Sequence, residues 1–379
     1  MKQSEIKTWT PGTILCVVFM LIGGAAALYR LGAGLGATTN LNDSFPWGMW
    51  LGIDVLAGVA MAAGGFMIAS LVYVFHLEKY RPVVRPAILT AFLGYLLAIV
   101  ALILDIGQPH RLWHPAIMWQ VHSVMWVVGI HVILYTTTLA LEFSPMLFER
   151  LGMTGASRAV HRIIVPVVIF GALLSVLHQS SLGAVFLISE ARMSPLWYSP
   201  ELPKLFLNSA LMMGFSMVSL ETMISSKAFK HDVDPGIFSG LARMSLWVIG
   251  FYFCYKLYVL VKGPGIGAAF AGTTEANMYL LEMIIGVILP FVLLLGKGAR
   301  ENMKMVRAVN ILVILGVLTN RLNVSIFGLY RDQSSKGAQY FPSVIEFAVS
   351  IALVSFAIFI FKMAAKHLPL LESGTEAGH

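Results

Sequence analysis

PAILTAFLGYLLAIVALILD (86–105) runs through nineteen uncharged residues and stops on a carboxylate. A membrane-crossing helix needs about 20 mostly apolar residues. Backbone groups in lipid must find partners within their own segment, so this stretch reads as a transmembrane helix. The residues that follow are different in kind. DIGQPHRLWHPAIMW (105–119) gathers one aspartate, two histidines, one arginine, two tryptophans and two prolines before the next apolar run begins.

Outward from this stretch the pattern repeats. The chain has 379 residues, 58% hydrophobic and 12% charged, where a soluble domain carries about 25% charged residues. Mean hydropathy is +0.80. Ten segments are long and apolar enough to span: 13–36, 47–75, 86–105, 119–141, 161–187, 204–225, 237–262, 276–297, 305–327 and 342–364. The expected fold is an all-α integral membrane protein of ten helices. Helices two to five and six to nine form two four-helix bundles, flanked by helices one and ten. A single membrane domain is expected over 1–368, followed by a disordered tail at 369–379. The first apolar run lacks a short hydrophobic core followed by a small-residue cleavage site, so it is read as a retained helix.

The net charge of +7 does not point to nucleic acid. With the N terminus inside, 17 of the 26 Lys and Arg residues fall in inner connections and tails, which is the positive-inside pattern. Both termini are therefore expected in the cytoplasm. The connections 105–119 and EARMSPLWYSPELPK (190–204) then lie outside. Their Trp, Tyr and Pro content suits either an interfacial aromatic belt or a docking surface for an extracytoplasmic partner. The two cysteines, Cys16 and Cys254, sit in separate apolar runs and cannot hold a four-cysteine iron–sulfur cluster.

Ionisable groups at membrane depth cost roughly 2.5–3.5 kcal/mol near the centre, so each needs a reason. Arg30, Asp54, Asp105, His110, His178, Lys256, Glu282, Arg321 and Glu346 fall toward the outer half. His131 falls near the middle of helix four. Glu142, Glu221 and His76 fall toward inner helix ends. If helices two to five form one bundle, Asp54, His178 and Gln179 can converge on Asp105 and His110. Such groups in a dry pocket can exchange protons near neutrality. A quinone head group takes two electrons and two protons, and its carbonyls want hydrogen-bond donors. Asp105, His110, Arg111, His178 and Gln179 are candidates to supply them, with Trp113 against the ring or tail. Asp54, His131, Glu142 and Glu221 are candidates for a proton relay.

Structural roles compete at each position. Asp105 with Arg111, or Asp54 with Arg30, can form ion pairs. His178 can bond a backbone carbonyl. Glu142 and Glu221 can be solvated, as can His114, His122 and Arg192. Lys256, Glu282, Arg321 and Glu346 are expected to form a second polar network binding the two bundles together, or else a proton or water path. A b-type haem needs two axial histidines on facing helices, and His131 and His178 lie at different apparent depths. A metal site on His110 and His114 is disfavoured because Pro109 and Pro115 disturb the helix that would set their spacing.

At these residues the sequence resembles the polysulfide-reductase membrane-subunit (NrfD-like) family, and within it the membrane subunits of hydrogenase-2-type nickel–iron hydrogenases. The resembling segments are FPWGMWLGID (45–54), YRPVVRPAILTAFLGY (80–95), LEFSPMLFERLG (141–152), HQSSLG (178–183) with PLWYSPELP (195–203), AFAG (269–272) and YFPSVIE (340–346). They spread from helix two to helix ten, and DIG (105–107) matches the family's element at the end of helix three. The resemblance implies a subunit without haem or iron–sulfur cluster of its own that binds menaquinone near the outer face of a bacterial inner membrane. It implies a ferredoxin-like iron–sulfur subunit docked on the periplasmic side, and nickel–iron large and small hydrogenase subunits that split H2. Membrane lipid surrounds the chain, and a dimer of the whole complex is compatible with this set. By position, Asp54, Asp105 and His178 match acidic and histidine positions of the family's motifs, while Glu221, Glu282, Arg321 and Glu346 match polar positions. One departure stands out. Related subunits often carry a glutamate in the outer half of helix four, where this chain reads VHSVMWVVGIHV (121–132), with His131 near that place. A molybdenum reductase or multihaem cytochrome as partner, or a transporter role, are the rival readings. Transporter sites lie near the midplane, unlike these groups.

Overall fold

The computed structural model describes residues 7–330 and 337–370. The tail expected to be disordered lies, from residue 371 on, outside the described residues. Among the described residues, ten helices are long and apolar enough to cross a membrane. They are α1 (Pro11–Ala33), α2 (Trp50–Tyr73), α3 (Glu78–Asp105), α4 (Val124–Arg150), α5 (Thr154–Ser189), α6 (Leu202–Phe229), α7 (Pro235–Lys262), α8 (Thr274–Leu295), α9 (Met303–Tyr330) and α10 (Val344–His367). The described residues contain no β-strand beyond an isolated bridge between Asn42 and Phe45.

The helices start where side chains can satisfy their first free N–H groups. Thr10 accepts from Thr13 N ahead of Pro11, Ser123 from Trp126 N, and Asp234 from Gly236 N ahead of Pro235. α10 opens with a full capping box between Ser343 and Glu346. Three helices run well beyond the spans read from the sequence, α3 beginning at Glu78 rather than 86. α4 continues to Arg150 rather than stopping at 141, and α5 begins at Thr154 rather than 161. Pro145 and Pro166 lie within them. A proline inside a membrane helix is tolerated because neighbouring groups re-satisfy the freed carbonyl.

α2, α6 and α9 are the most enclosed spans, while α1 and α4 face mostly outward. The first bundle pairs α2 with α3, α3 with α4, α4 with α5 and α2 with α5. The second pairs α6 with α7 and α9, and α8 with α7 and α9. α6 joins the two sets by packing on both α2 and α5. α1 and α10 lie against one another and reach the first bundle through α3 and the start of α2.

Without a hydrophobic drive between helices in lipid, small residues let backbones approach and gain dispersion contacts. α8 and α9 cross at Gly286 and Gly316, where a Cβ on Gly286 would sit 2.5 Å from Gly316 Cα. Gly316→Ala should therefore destabilise the protein by about 1–3 kcal/mol or more, since backbone rather than a flexible side chain must move. Thermal unfolding in detergent measures this. Gly24→Ala, where an added Cβ meets nothing within 4 Å, should leave the midpoint nearly unchanged.

Three π-helical segments interrupt the spans: Trp50–Ala57 in α2, Ile284–Ile288 in α8 and Asn323–Phe327 in α9. Such wider turns re-aim side chains and recur at functional sites. Asp54 and Asn323 sit within two of them.

Candidate functional site

Where the ends of α1 and α3 meet the starts of α2 and α10, the structure assembles an acidic cluster. Arg30 of α1 donates from Nε to Leu104 O at 2.6 Å and from Nη2 to Ile106 O at 2.8 Å. It thereby caps the end of α3 beside Asp105, whose electrostatic neighbours are Arg30 and Glu346. Asp54 accepts a short hydrogen bond from Ser350 of α10 and lies in the field of Asp105. Trp50 Nε1 donates to Glu346 O at 3.1 Å, fixing α2 against α10.

The three carboxylates differ in how well they are satisfied. Glu346 Oε1 accepts from Tyr340 Oη at 2.5 Å, and Oε2 accepts from Ser343 N at 2.8 Å and Asn40 N at 3.2 Å. Tyr340 Oη in turn accepts from Met49 N at 2.8 Å. Burial, then the bond to Glu346, holds the Tyr340 phenol above its ordinary pKa, so it stays protonated and donating. Asp105 Oδ1 is buried with no hydrogen-bond partner. Buried polar atoms of this kind are rare and call for a ligand, a proton or a water. Beside the cluster lies a cavity of about 470 Å³ lined by Asn40, Leu41, Tyr330, Gln339, Tyr340 and Phe341.

A second set of polar groups lies inside the first bundle. His178 is fully buried and neither ring nitrogen has a partner. Its ring lies 5.5 Å from that of Tyr95 and 6.3 Å from that of His131, at 90°. Tyr95 and Tyr135 meet edge to face at 4.6 Å. Ser175 lies beside Tyr135, and Glu142 is buried with Oε2 unpartnered. Gln179 is anchored by Nε2 to Val59 O of α2 at 2.9 Å. On α4 these groups fall at 131, 135, 138 and 142, and on α5 at 171, 175, 178 and 179. Those are helical spacings, so each helix turns one polar stripe toward the other. Gly171 makes room for the carboxylate, as a Cβ there would meet Glu142 Oε1 at 2.8 Å. On α6, Glu221 faces Thr90 of α3.

The third set ties the second bundle. Glu282 accepts from Lys256 Nζ at 3.0 Å, Asn320 Nδ2 at 2.9 Å, Asn323 Nδ2 at 2.8 Å and Trp197 Nε1 at 2.9 Å. Arg321 is fully buried. It donates to Asn320 Oδ1, Phe206 O and Ser209 Oγ, and lies 3.8 Å over the Phe206 ring.

The placements revise several expectations. Asp54 and Asp105 come together, but against α10 rather than His178. Tyr95, which touches His178, is ten residues before Asp105 on α3, about 15 Å along the axis. His110, Arg111 and Trp113 lie on the connection and are exposed rather than gathered around His178 or Asp105, and the partner Arg30 takes on α3 is backbone rather than Asp54. Glu346 leaves the second network for the acidic cluster because Tyr340, Ser343 and Asn40 hold it there. Lys256, Glu282 and Arg321 join one another within α6–α9 instead of binding the two bundles together. Glu142 and Glu221 are not solvated at helix ends, because α4 and α6 run eight residues beyond each of them. His131 and His178 come side by side because α4 starts at Val124, which puts His131 in its N-terminal half. Tyr95, Tyr135 and Tyr340 were missed, since tyrosine within an apolar run reads as packing. The stripe spacing on α4 was the signal that could have found Tyr135.

A sequence model of the family described as "Polysulphide reductase, NrfD" matches residues 37–331. The chain belongs to this family. The match spans α2–α9, the two four-helix sets, while Arg30, Glu346 and Ser350 of the acidic cluster come from the flanking helices. Among relatives of this NrfD-family chain, a protein of Nitratidesulfovibrio vulgaris is 36% identical, covering 96% of this chain and 95% of its own. The "Probable Ni/Fe-hydrogenase 2 b-type cytochrome subunit" of Escherichia coli is 30% identical, over 95% of this chain and 91% of its own. The "Menaquinone reductase, integral membrane subunit" of N. vulgaris is 27% identical, over 96% and 92%. This NrfD-family protein is a multi-pass membrane protein.

Proposed function

We propose that this chain is the membrane anchor and quinone-reacting subunit of a respiratory oxidoreductase complex, and that the complex is a nickel–iron hydrogenase passing electrons from H2 to menaquinone. The observation that carries the quinone site is Asp105 Oδ1, a buried and unpartnered carboxylate oxygen in a three-carboxylate cluster beside a cavity. The relatives support the redox context, one being named a menaquinone reductase membrane subunit and one a hydrogenase subunit.

In this reading the quinone is the substrate. H2 yields two electrons and two protons at the partner's metal centre. The electrons reach the outer face through an iron–sulfur subunit, and the quinone gains two electrons and two protons to become quinol. Asp105 in its protonated form donates to a head-group carbonyl and hands on its proton, while Arg30 and Asp54 set its charge balance. Tyr340 stands at the cavity wall and spends its hydroxyl proton on Glu346, which fixes that carboxylate beside the pocket. The row His178, His131, Tyr95, Tyr135, Ser175 and Glu142 leads a proton inward from the same side of the bundle, with Glu221 and Thr90 as a parallel inner pair. Both termini lie in the cytoplasm and the iron–sulfur partner docks on the periplasmic side.

A second reading keeps the pocket and changes the partner, because the menaquinone reductase relative covers as much of the chain as the hydrogenase one. Purification of the tagged chain in mild detergent, with mass spectrometry of what accompanies it, separates them. Nickel–iron hydrogenase subunits and a ferredoxin-like protein are the expected company. A molybdenum enzyme or multihaem cytochrome in their place overturns the hydrogenase assignment and leaves the quinone site standing.

A further inference from the structure

At the end of the bundle that holds the start of α1, the connection into α3 meets α7 around a cavity of about 380 Å³. Lys79, Tyr80, Ser239, Gly240, Arg243 and Trp247 are among its lining residues. Lys79 lies 5.8 Å over the Tyr80 ring, and Tyr80 and Arg243 are electrostatic neighbours. The Tyr80 hydroxyl packs against Gly240, so that any side chain there would have to displace it, and a Cβ would also meet Lys79 Nζ at 3.4 Å. The glycine thus keeps the space between the two cations open.

The charges here are arranged differently from those beside them. Arg81, two residues on, is paired with Glu78 at 2.5 Å, and Arg85 with Glu149 at 3.1 Å. Lys79 and Arg243 form no ion pair among the described residues, and both are exposed. Two converging unpaired cations, a Tyr hydroxyl and the Ser239 hydroxyl suit the oxygens of one phosphate. Trp247 lies one turn beyond Arg243 on the same face of α7 and is 75% exposed, which suits contact with an acyl chain at the interface. Basic pockets between helix ends hold anionic lipid head groups.

We propose that Lys79, Tyr80, Ser239 and Arg243 form a binding site for the phosphate of an anionic phospholipid in the leaflet at that end of the protein. The site is separate from the acidic cluster and does not depend on the quinone reading.

The test is native mass spectrometry of the full-length protein with whatever subunits accompany it, delipidated and then titrated. The probes are phosphatidylglycerol, phosphatidylcholine and inorganic phosphate. Phosphatidylglycerol should bind the wild type at one site, tighter than phosphatidylcholine. Lys79→Gln and Arg243→Gln should each weaken it about fivefold, from about 1 kcal/mol per cation near the surface, and the double variant by more. Lys297→Gln, at a basic residue elsewhere on the same end, should change nothing. Retention that is equal in the double variant and the wild type overturns the site. Binding of inorganic phosphate as tight as that of the lipid assigns the cavity to a free anion and overturns the lipid source.

Discussion

Asp105→Asn should slow quinone reduction by the purified complex severely while the catalytic partner still reduces an artificial dye. The substitution keeps the shape of the side chain, and Oδ1 has no hydrogen bond to lose. It removes the ability to give and take a proton. Positioned acid–base groups contribute about 10²–10⁴-fold to rate, so quinone-linked turnover should fall by about that factor with the complex assembled and the dye reaction unchanged. Glu346→Gln is a poorer probe of chemistry, since that carboxylate also caps α10 and anchors Tyr340. His178→Ala distinguishes the roles of the two buried sets. If His178 delivers protons rather than binding the head group, turnover falls while the quinone KM stays near its wild-type value. Quinone reduction at the wild-type rate in Asp105→Asn would remove that carboxylate from the reaction and overturn the proposed site.

Much of this architecture was legible because the membrane imposes one strong rule. Twenty apolar residues between polar connections have to be a helix, and all ten were found. What the sequence could not show is where the polar connections end and the helices resume. LEFSPMLFER (141–150) reads as a stop because of its charges and proline, yet it is the last part of α4. The shift placed Glu142 inside the protein and His131 in the N-terminal half of α4. Depth alone also cannot say which way a side chain points around its helix. Asp105 and His178 both lie in the C-terminal halves of their helices, but Asp105 turns toward α1 and α10 while His178 turns toward α4. The grouping of Lys256, Glu282 and Arg321 was visible as a set of charges that each needed a partner. The leaving of Glu346 was not, because its partners Tyr340, Ser343 and Asn40 are uncharged.

Glu282→Ala should unfold the second bundle or come close to it. The side chain is 2% exposed and its two oxygens are the acceptors for Lys256, Asn320, Asn323 and Trp197. Truncation leaves an ammonium with 3% side-chain exposure and no counter-charge at that place, and it orphans the amides and the indole. Breaking a buried pair from one side costs about 3–5 kcal/mol, whereas removing both charges together is often close to neutral. Lys256→Met with Glu282→Gln should therefore recover most of the loss, since the Gln carbonyl still accepts from a neighbouring amide. The two single changes and the double change form a cycle, read by thermal unfolding in detergent and by the yield of assembled complex. A coupling of a few kcal/mol identifies the pair as one unit. Additive losses would mean that Lys256 finds its stabilisation elsewhere, such as over the Tyr279 ring at 5.2 Å. The placement makes the first outcome the expected one. The network joins α7, α8 and α9 to the α5–α6 connection through a single carboxylate, and Asn320 extends it to Arg321 and so to Phe206 and Ser209 of α6. With that carboxylate gone, each of the four helices keeps its own span and loses the polar contact that sets its rotation against the others.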